Sequence, residues 1–192
     1  MPPELGFSPG QGHPYAATTG AGEGRDSPAG GPVVVPATLA HSEGIRAIYN
    51  RAVQTSTATF DMTPRTAEEQ REWLAQHAGA YPAVVAVQDG GVAGFGSLSP
   101  YRPRPAYSTT VENSVYVHED FQRRGLGRAL LGELIDLAQA HGFHAVIARI
   151  AGDNEASVAL HSACGFEHVG IEREVGRKFG RWLDVVCMER LV

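Results

Sequence analysis

Cysteine is scarce in this sequence, and long apolar stretches are missing. Only Cys164 and Cys187 occur among 192 residues, which argues against a disulfide framework and indicates a reducing compartment, the cytoplasm. We expect both thiols to be structural, because neither lies in the surroundings of a nucleophile. No apolar run reaches the roughly 20 residues that cross a bilayer, and the N-terminus lacks the pattern of a signal peptide. The sequence therefore predicts neither secretion nor membrane insertion.

Positive charge is not in surplus either. The formal net charge is −5, so no extended basic surface for nucleic acid is implied. The basic residues cluster at 102–104, 123–128 and 173–181. Three short clusters suit a small anionic ligand better than a polyanion, although a solvated face would look the same.

Residues 1–31 are rich in Gly, Pro, Ala, Ser and Thr and lack a periodic apolar signal. Such a segment buries too little surface to offset the entropy lost on ordering, so we predict a disordered N-terminal extension. The remainder, 32–192, is long enough for one domain with a sizeable core.

Helical and strand-like patterns alternate along that domain. Apolar spacing predicts helices near 42–52, 66–77, 126–141 and 155–163. Strands are predicted at 33–35, 83–87, 92–99, 111–117, 145–150, 166–175 and 182–191. Thr66 and Glu69 form a capping box, and Asp89-Gly90 predicts a tight hairpin turn. Between the last two strands we expect a basic loop bounded by glycines.

The most informative segment lies between a predicted strand and a predicted helix. It reads Gln122-Arg123-Arg124-Gly125-Leu126-Gly127-Arg128. Its glycines let a phosphate approach the main chain and permit positive φ, while its arginines add positive charge. Free N–H groups at a helix start also attract anions. The segment predicts a pyrophosphate site, although a lone Gly-x-Gly also suits a solvated loop.

The dinucleotide-binding fingerprint and the Walker A motif both fit this segment poorly. A strand, then Gln-x-x-Gly-x-Gly, then a helix resembles the acetyl-CoA loop of the GNAT superfamily of N-acetyltransferases. Segments 57–60, 101–107, 111–112 and 176–184 resemble the phosphinothricin / methionine sulfoximine acetyltransferase family, over about residues 33–190. The resemblance implies an α/β (α+β) fold with a central mixed, mostly antiparallel sheet, flanking helices and a splayed acetyl-CoA cleft. It also implies a homodimer and no metal.

Glu112 is the candidate general base. The acceptor amine arrives protonated, and a carboxylate near the strand end can take its proton directly or through a water. The resemblance places the family's base at this residue, whereas a glutamate in a strand is otherwise usually solvent-facing. The resemblance also implies a bulge here, with main-chain contacts from Val115, Tyr116 and Val117 to the coenzyme and one N–H polarising the thioester carbonyl.

A second motif, Asn154-x-x-Ser157-x-x-Leu160-His161, opens the helix at 155–163. It resembles the GNAT segment in which Asn154 and Ser157 contact the coenzyme. His161 stands where a tyrosine commonly serves as acid, and the phosphinothricin subgroup also has histidine there. An imidazole can protonate the leaving thiolate or help deprotonate the amine. The alternative is a core-edge histidine bonded to a carbonyl.

The acceptor is the least visible part of the sequence. The resemblance implies amino-acid analogues with an anionic or strongly polar side-chain end, which basic residues can neutralise. The candidates for binding it are Thr59, Phe60, Arg102, Arg104, Tyr107, Arg177 and Lys178. Trp182 lies either near this pocket or in the core. The sequence thus predicts an acetyl-CoA-dependent N-acetyltransferase of such analogues, with acetylation of another small amine and a non-catalytic acetyl-CoA sensor as alternatives.

Overall fold

The computed structural model describes residues 32–192, and the extension predicted at 1–31 lies outside this range. Its strands are β1 Val33–Pro36, β2 Ala83–Gln88, β3 Gly91–Pro100, β4 Thr110–Val117, β5 Ala145–Ala151, β6 Glu167–Lys178 and β7 Arg181–Leu191. Its α-helices are α1 Ser42–Thr55, α2 Ala67–Gln76, α3 Leu126–Ala140 and α4 Glu155–Ala163. None of the helices within residues 32–192 is long and apolar enough to cross a membrane.

The seven strands form one mixed sheet in the order β1-β2-β3-β4-β5-β7-β6. All neighbours are antiparallel except β4 and β5, which run parallel and pair only from Thr110↔Ala145 to Glu112↔Ile147. Beyond that point β4 stays with β3 and β5 stays with β7. A split therefore opens between β4 and β5. The predicted mixed, mostly antiparallel sheet with a splayed cleft is confirmed.

Helices cover both faces of the sheet, and β2 accordingly has apolar side chains on both of its sides. Val84 belongs to the core that α3 covers, with Leu130 and Leu134. Its neighbour Val85 belongs to the core under α1 and α2, with Ile45. Successive side chains of a strand point to opposite faces, so a continuous apolar run indicates a strand buried on both sides.

Local signals placed most elements correctly. The Thr66 hydroxyl accepts the Glu69 N–H at 3.2 Å, and the Glu69 carboxylate accepts the Thr66 N–H at 2.7 Å, which confirms the capping box. Asp89 and Gly90 have φ values of 52° and 76° and form the predicted two-residue turn.

The basic loop predicted between the last two strands is wrong. β6 continues through Lys178, which pairs with Arg181 of β7. The turn consists only of Phe179 and Gly180, with φ values of 50° and 76°. A two-residue turn with positive φ at both positions matches the twist of the strands, so the ladder closes right up to it.

Candidate active site

Glu112 lies at the last rung of the β4–β5 ladder, where the split opens. Its side chain is half-buried, and within residues 32–192 its carboxylate forms no hydrogen bond. Burial raises the pKa of Glu112, the Arg149 guanidinium lowers it, and the Glu172 carboxylate raises it further. A carboxylate with a raised pKa and free oxygens is suited to accepting a proton.

The split forms a cleft of about 290 Å³. Its walls are β4 on one side, β5 on the other and the start of α4, and the segment 58–60 covers one end. The cleft brings together eight of the predicted site residues, Glu112, Val115, Tyr116, Asn154, Ser157, His161, Thr59 and Phe60. The cleft is therefore the place where the predicted base, the second motif and part of the predicted acceptor site meet.

The β4 backbone presents an unpaired edge to this cleft. Residues 113–117 pair with β3 and have no β5 partner. Their register with β3 is continuous through Val117↔Gly94, so the bulge that the resemblance implied is absent from this part of the strand. The edge is open instead because β5 follows β7 away from β4. An extended ligand with amide groups can pair with such an edge as another strand would.

Asn113 and His161 contact each other at the point where β4 and β5 separate. The ring nitrogens of His161 lie 2.8 Å from the Ser157 carbonyl oxygen and 3.0 Å from Asn113 Oδ1. Asn113 in turn donates from Nδ2 to the Ile147 carbonyl at 3.2 Å. Burial lowers the pKa of His161, whose side chain is 3% exposed. Both ring nitrogens therefore lie against protein oxygens, and the single N–H of the neutral ring can donate to only one of them.

The segment 57–61 is fastened over the end of the cleft. The Tyr49 hydroxyl of α1 bonds the Thr59 hydroxyl at 3.1 Å and donates to the Asp61 carboxylate. From β6, the buried Lys178 ammonium donates to the Thr59 carbonyl at 2.7 Å. Lys178 thus holds a loop that lines the cleft and does not line the cleft itself.

Phe60 explains the glycine within the last basic cluster, Gly176. A Cβ atom at Gly176 would lie 2.2 Å from Phe60 Cε2. The ring of Phe60 therefore occupies the space that a side chain at position 176 would need. Gly176 thus serves a strand-to-loop contact at the end of an irregular stretch of β6.

The remaining predicted acceptor residues, Arg102, Arg104, Tyr107 and Arg177, do not line the cleft. The guanidinium of Arg102 lies 4.8 Å from the Tyr101 ring centroid, and that of Arg177 lies 5.5 Å from the Trp182 ring. Trp182 itself is 62% exposed, so it is not a core residue. Arg102 and Arg177 thus stack on aromatic rings at the protein surface.

The predicted phosphate loop leads directly into α3. Gly125 is its N-cap with φ of 84°, and the first helical bond runs from the Ala129 N–H to the Gly125 carbonyl at 3.0 Å. The N–H groups of residues 126–128 therefore lack helical partners, which suits an anion. The exposed side chains beside them are Gln122, Arg123, Arg124 and Arg128.

Gly127 does not adopt the positive φ that glycine permits. It lies inside α3. A Cβ atom there would come within 3.1 Å of the Leu160 side chain of α4. Gly127 permits close approach of two helices, and the first turn of α3 also touches Val117 at the end of β4. With the free N–H groups of α3 and the open edge of β4, these residues fit a ligand that carries a pyrophosphate and an amide-containing arm.

Arg128 and Cys164 line a separate cavity of about 660 Å³ between α3, α4 and the end of β7. Cys164 and Cys187 are both free thiols. Burial raises the pKa of Cys187 and so disfavours its thiolate. The structural role expected for this thiol agrees with that environment.

Sequence reasoning missed four polar residues that line the cleft, Tyr49, Asn113, Ser114 and Arg149, and two of them stand out in the sequence. Asparagine is depleted in strands, and Asn113 lies in the middle of β4, so its presence there was a signal. Arg149 is the charged residue within the apolar strand β5. Both unusual residues, Asn113 and Arg149, are visible in the sequence, but neither pattern indicates which residue the side chain contacts.

Comparison with known proteins agrees with this geometry. The model of the acetyltransferase (GNAT) family matches residues 45–166. A phosphinothricin N-acetyltransferase of Streptomyces coelicolor is 46% identical over 147 residues, which cover 74% of this chain and 86% of the relative. An L-methionine sulfoximine/L-methionine sulfone acetyltransferase of Pseudomonas paraeruginosa is 43% identical over 155 residues, which cover 80% and 90%.

A solved structure is similar over the same region. The phosphinothricin acetyltransferase of Sinorhizobium meliloti, in complex with AcCoA, has a TM-score of 0.81 and 37% identity, covering 84% of this chain and 88% of that one. The split sheet and these matches together define an acetyltransferase. The chain belongs to the GNAT family, whose acyl donor is acetyl-CoA, and the predictions of family, fold and acyl donor are confirmed.

Proposed function

We propose that this protein transfers the acetyl group of acetyl-CoA to the α-amino group of a small amino-acid analogue such as phosphinothricin or methionine sulfoximine. The observation that carries the proposal is the half-buried Glu112 carboxylate, free of hydrogen bonds within residues 32–192, at the point where the sheet splits. The named activities of the two relatives support the choice of acceptor.

Glu112 acts as the general base. Its carboxylate takes a proton from the acceptor ammonium, directly or through a water. The neutral nitrogen then attacks the thioester carbonyl carbon, so that a C–N bond forms and the C–S bond breaks. The nitrogen gives up its second proton as the amide forms, and this proton neutralises the departing thiolate, so that CoA leaves as the thiol. The raised pKa of Glu112 brings it closer to that of the amine and makes the proton transfer easier.

The other elements of the cleft hold the donor. The main chain of Val115, Tyr116 and Val117 lies along the open edge of β4, where an N–H group can polarise a thioester carbonyl. Asn154 and Ser157 at the start of α4 hold the pantetheine arm. The segment 122–128 holds the pyrophosphate on the free N–H groups of α3.

For His161, the hydrogen bonds favour a positioning role. Both nitrogens of the ring face carbonyl oxygens, and one of these belongs to Asn113. Through Asn113 the ring fixes the carbonyl of Ile147, which is the β5 partner of Glu112 on the last rung before the split. His161 thereby holds β4, β5 and α4 at a fixed separation.

On the acceptor side, Thr59 and Phe60 form one wall. Arg102, Arg104, Tyr107 and Arg177 contribute to binding only if an acceptor or a second subunit reaches them at the surface.

We also propose a homodimer formed through the β6–β7 hairpin. The exposed apolar side chains there are Val169, Ile171, Val175, Phe179, Trp182 and Leu191, each more than half exposed. Apolar patches of this kind are typical of interfaces. The cytoplasmic location stays a prediction.

An acceptor screen at saturating acetyl-CoA tests the proposed activity. Phosphinothricin, methionine sulfoximine and methionine sulfone are compared with ordinary amino acids and polyamines by release of free CoA. We expect the analogues to be the fastest acceptors. Fastest turnover of a polyamine would favour another amine as substrate. Binding of acetyl-CoA without release for any acceptor would favour the sensor.

Replacing Glu112 by Gln tests the base. We expect kcat to fall on the order of 10²- to 10⁴-fold, because proton removal by a positioned carboxylate contributes that much. The dissociation constant for acetyl-CoA, measured by calorimetry, should not change. Glu133→Gln, at an exposed position of α3, is the matched control. Unchanged turnover in Glu112→Gln would remove Glu112 as the base.

A further inference from the structure

Arg149 is an unusual residue for its strand. β5 is otherwise apolar from Ala145 to Ala151. Within the part of the chain that the structure describes, Arg149 is the only arginine or lysine that lines the cleft. The basic residues predicted to bind the acceptor lie outside it. The cationic group nearest to the proposed chemistry is therefore one that neither the sequence motifs nor the family resemblance indicated.

The position of Arg149 relative to Glu112 suits a bifunctional ligand. Glu112 pairs with Ile147, and Arg149 follows two residues later on the same face of β5. Two residues span roughly 7 Å along a strand, which a long arginine side chain easily covers. An α-amino acid carries its ammonium and its carboxylate on the same carbon atom. A ligand whose nitrogen lies at Glu112 therefore presents its carboxylate within reach of the guanidinium.

The Arg149 guanidinium is held in place by one ion pair and keeps further N–H donors for a ligand. One of its terminal nitrogens donates to the Glu172 carboxylate of β6, and the two side chains are 39% and 38% exposed. An ion pair this exposed contributes little to stability, so stability does not account for an arginine in this strand. Guanidinium has five N–H donors in a planar fork, and most of them remain available to a second carboxylate.

We propose that Arg149, held by Glu172, binds the α-carboxylate of the acceptor and selects amino acids over simple amines. This inference rests on the proposed function, because it requires an acceptor that is acetylated beside Glu112. It assigns to Arg149 a contact with the carboxylate on the α-carbon and not with the polar end of the acceptor side chain.

Two acceptors that differ only in the carboxylate test the inference. L-methionine sulfone carries the α-carboxylate and a neutral side chain, and 3-(methylsulfonyl)propylamine lacks the carboxylate. In Arg149→Met we expect KM for the amino acid to rise on the order of 10- to 100-fold, since a charge-assisted hydrogen-bonded pair is lost. KM for the amine and KM for acetyl-CoA should stay unchanged.

Arg173→Met is the matched control. It removes the same charge at the residue next to Glu172, but Arg173 does not line the cleft. Equal increases of KM in the two variants would show a long-range charge effect and overturn the inference. An equal loss of activity toward both acceptors in Arg149→Met would show a structural role and would also overturn the inference. A rise of KM confined to phosphinothricin, whose side chain is itself anionic, would overturn it as well.

Two further outcomes keep the test decisive. If the wild-type protein releases no CoA with any amino acid, the proposed function itself fails. If the wild-type protein does release CoA with an amino acid and Arg149→Met has the same KM for it, only the proposed role of Arg149 fails. Should Arg149→Met lose its fold by circular dichroism, Arg149→Lys keeps the charge and the stem but not the planar fork. KM for the amino acid should still rise relative to the amine, and an unchanged ratio would contradict the proposal.

Discussion

Two charges of opposite sign act on the Glu112 carboxyl. Burial is the largest cause of its raised pKa, the Arg149 guanidinium lowers the pKa, and the Glu172 carboxylate raises it. The base works only as a carboxylate, so the acidic limb of kcat/KM against pH reports the ionisation of Glu112. Neighbouring charges should therefore move that limb in predictable directions.

Glu172→Gln should move the acidic limb to lower pH, because it removes a charge that raises the pKa of Glu112. Arg149→Met should move it to higher pH, because it removes the charge that lowers this pKa. The pH profile is measured with an acceptor amine that lacks a carboxylate, so that binding to Arg149 does not contribute. The free amine titrates identically in all assays, and a difference between variants reports on the enzyme. Shifts in the same direction would contradict this electrostatic account.

At the residue scale, local patterns identified candidates but not their neighbours. Glu112 could be singled out because it begins a strand that precedes a glycine-rich loop. Its proximity to Arg149 depends on the parallel pairing of β4 with β5, which the whole of α3 separates in the chain. The bond between Asn113 and His161 likewise joins residues 48 positions apart. No local periodicity encodes contacts of this kind.

At the scale of elements, a glycine at the N-cap of α3 and a glycine within the helix differ in one respect. Gly125 is the N-cap with φ of 84°, and Gly132 lies within the helix with ordinary φ. A Cβ atom at either position would meet nothing within 4 Å. Substitution by alanine therefore isolates the backbone effect from steric clashes.

Gly125→Ala should lower the free energy of unfolding by about 1–2 kcal/mol, because an L-residue is strained at positive φ. Gly132→Ala should raise it by about 0.5–1 kcal/mol, because glycine is a poor helix former. Urea denaturation measures both values. Gly125→Ala should also weaken acetyl-CoA binding, whereas Gly132→Ala should not. Equal stability of the two variants would show that the left-handed cap is not required.

Element boundaries were predictable where capping or turn chemistry is local. The capping box at Thr66 and the Asp89-Gly90 turn needed nothing beyond their own side chains and φ preferences. The end of β6 was misjudged because two glycines around a basic cluster are typical of a loop. Gly176 is required by the ring of Phe60, more than a hundred residues away. Only the folded structure reveals that reason.

At the scale of the whole molecule, the β6–β7 hairpin is the region that we expect to be covered. Trp182→Glu should convert a dimer to a monomer, since it places a charge within the apolar side chains of the hairpin. Light scattering coupled to size exclusion measures the mass. Leu39→Glu, at an apolar position with 69% exposure far along the chain from the hairpin, is the control. A monomeric wild-type protein would contradict the proposed homodimer.

The short pairing of β4 with β5, only three residue pairs long, also links the stability of the fold to the binding of a ligand. So few pairs join the two halves of the sheet that a ligand lying along residues 113–117 would take the place of the missing rungs. A ligand that binds only the folded state adds about 2.7 kcal/mol at a concentration one hundred times its dissociation constant. The folded lifetime of the enzyme in the presence of proteases then follows the supply of its acyl donor. We expect acetyl-CoA to slow digestion of the purified protein by a protease.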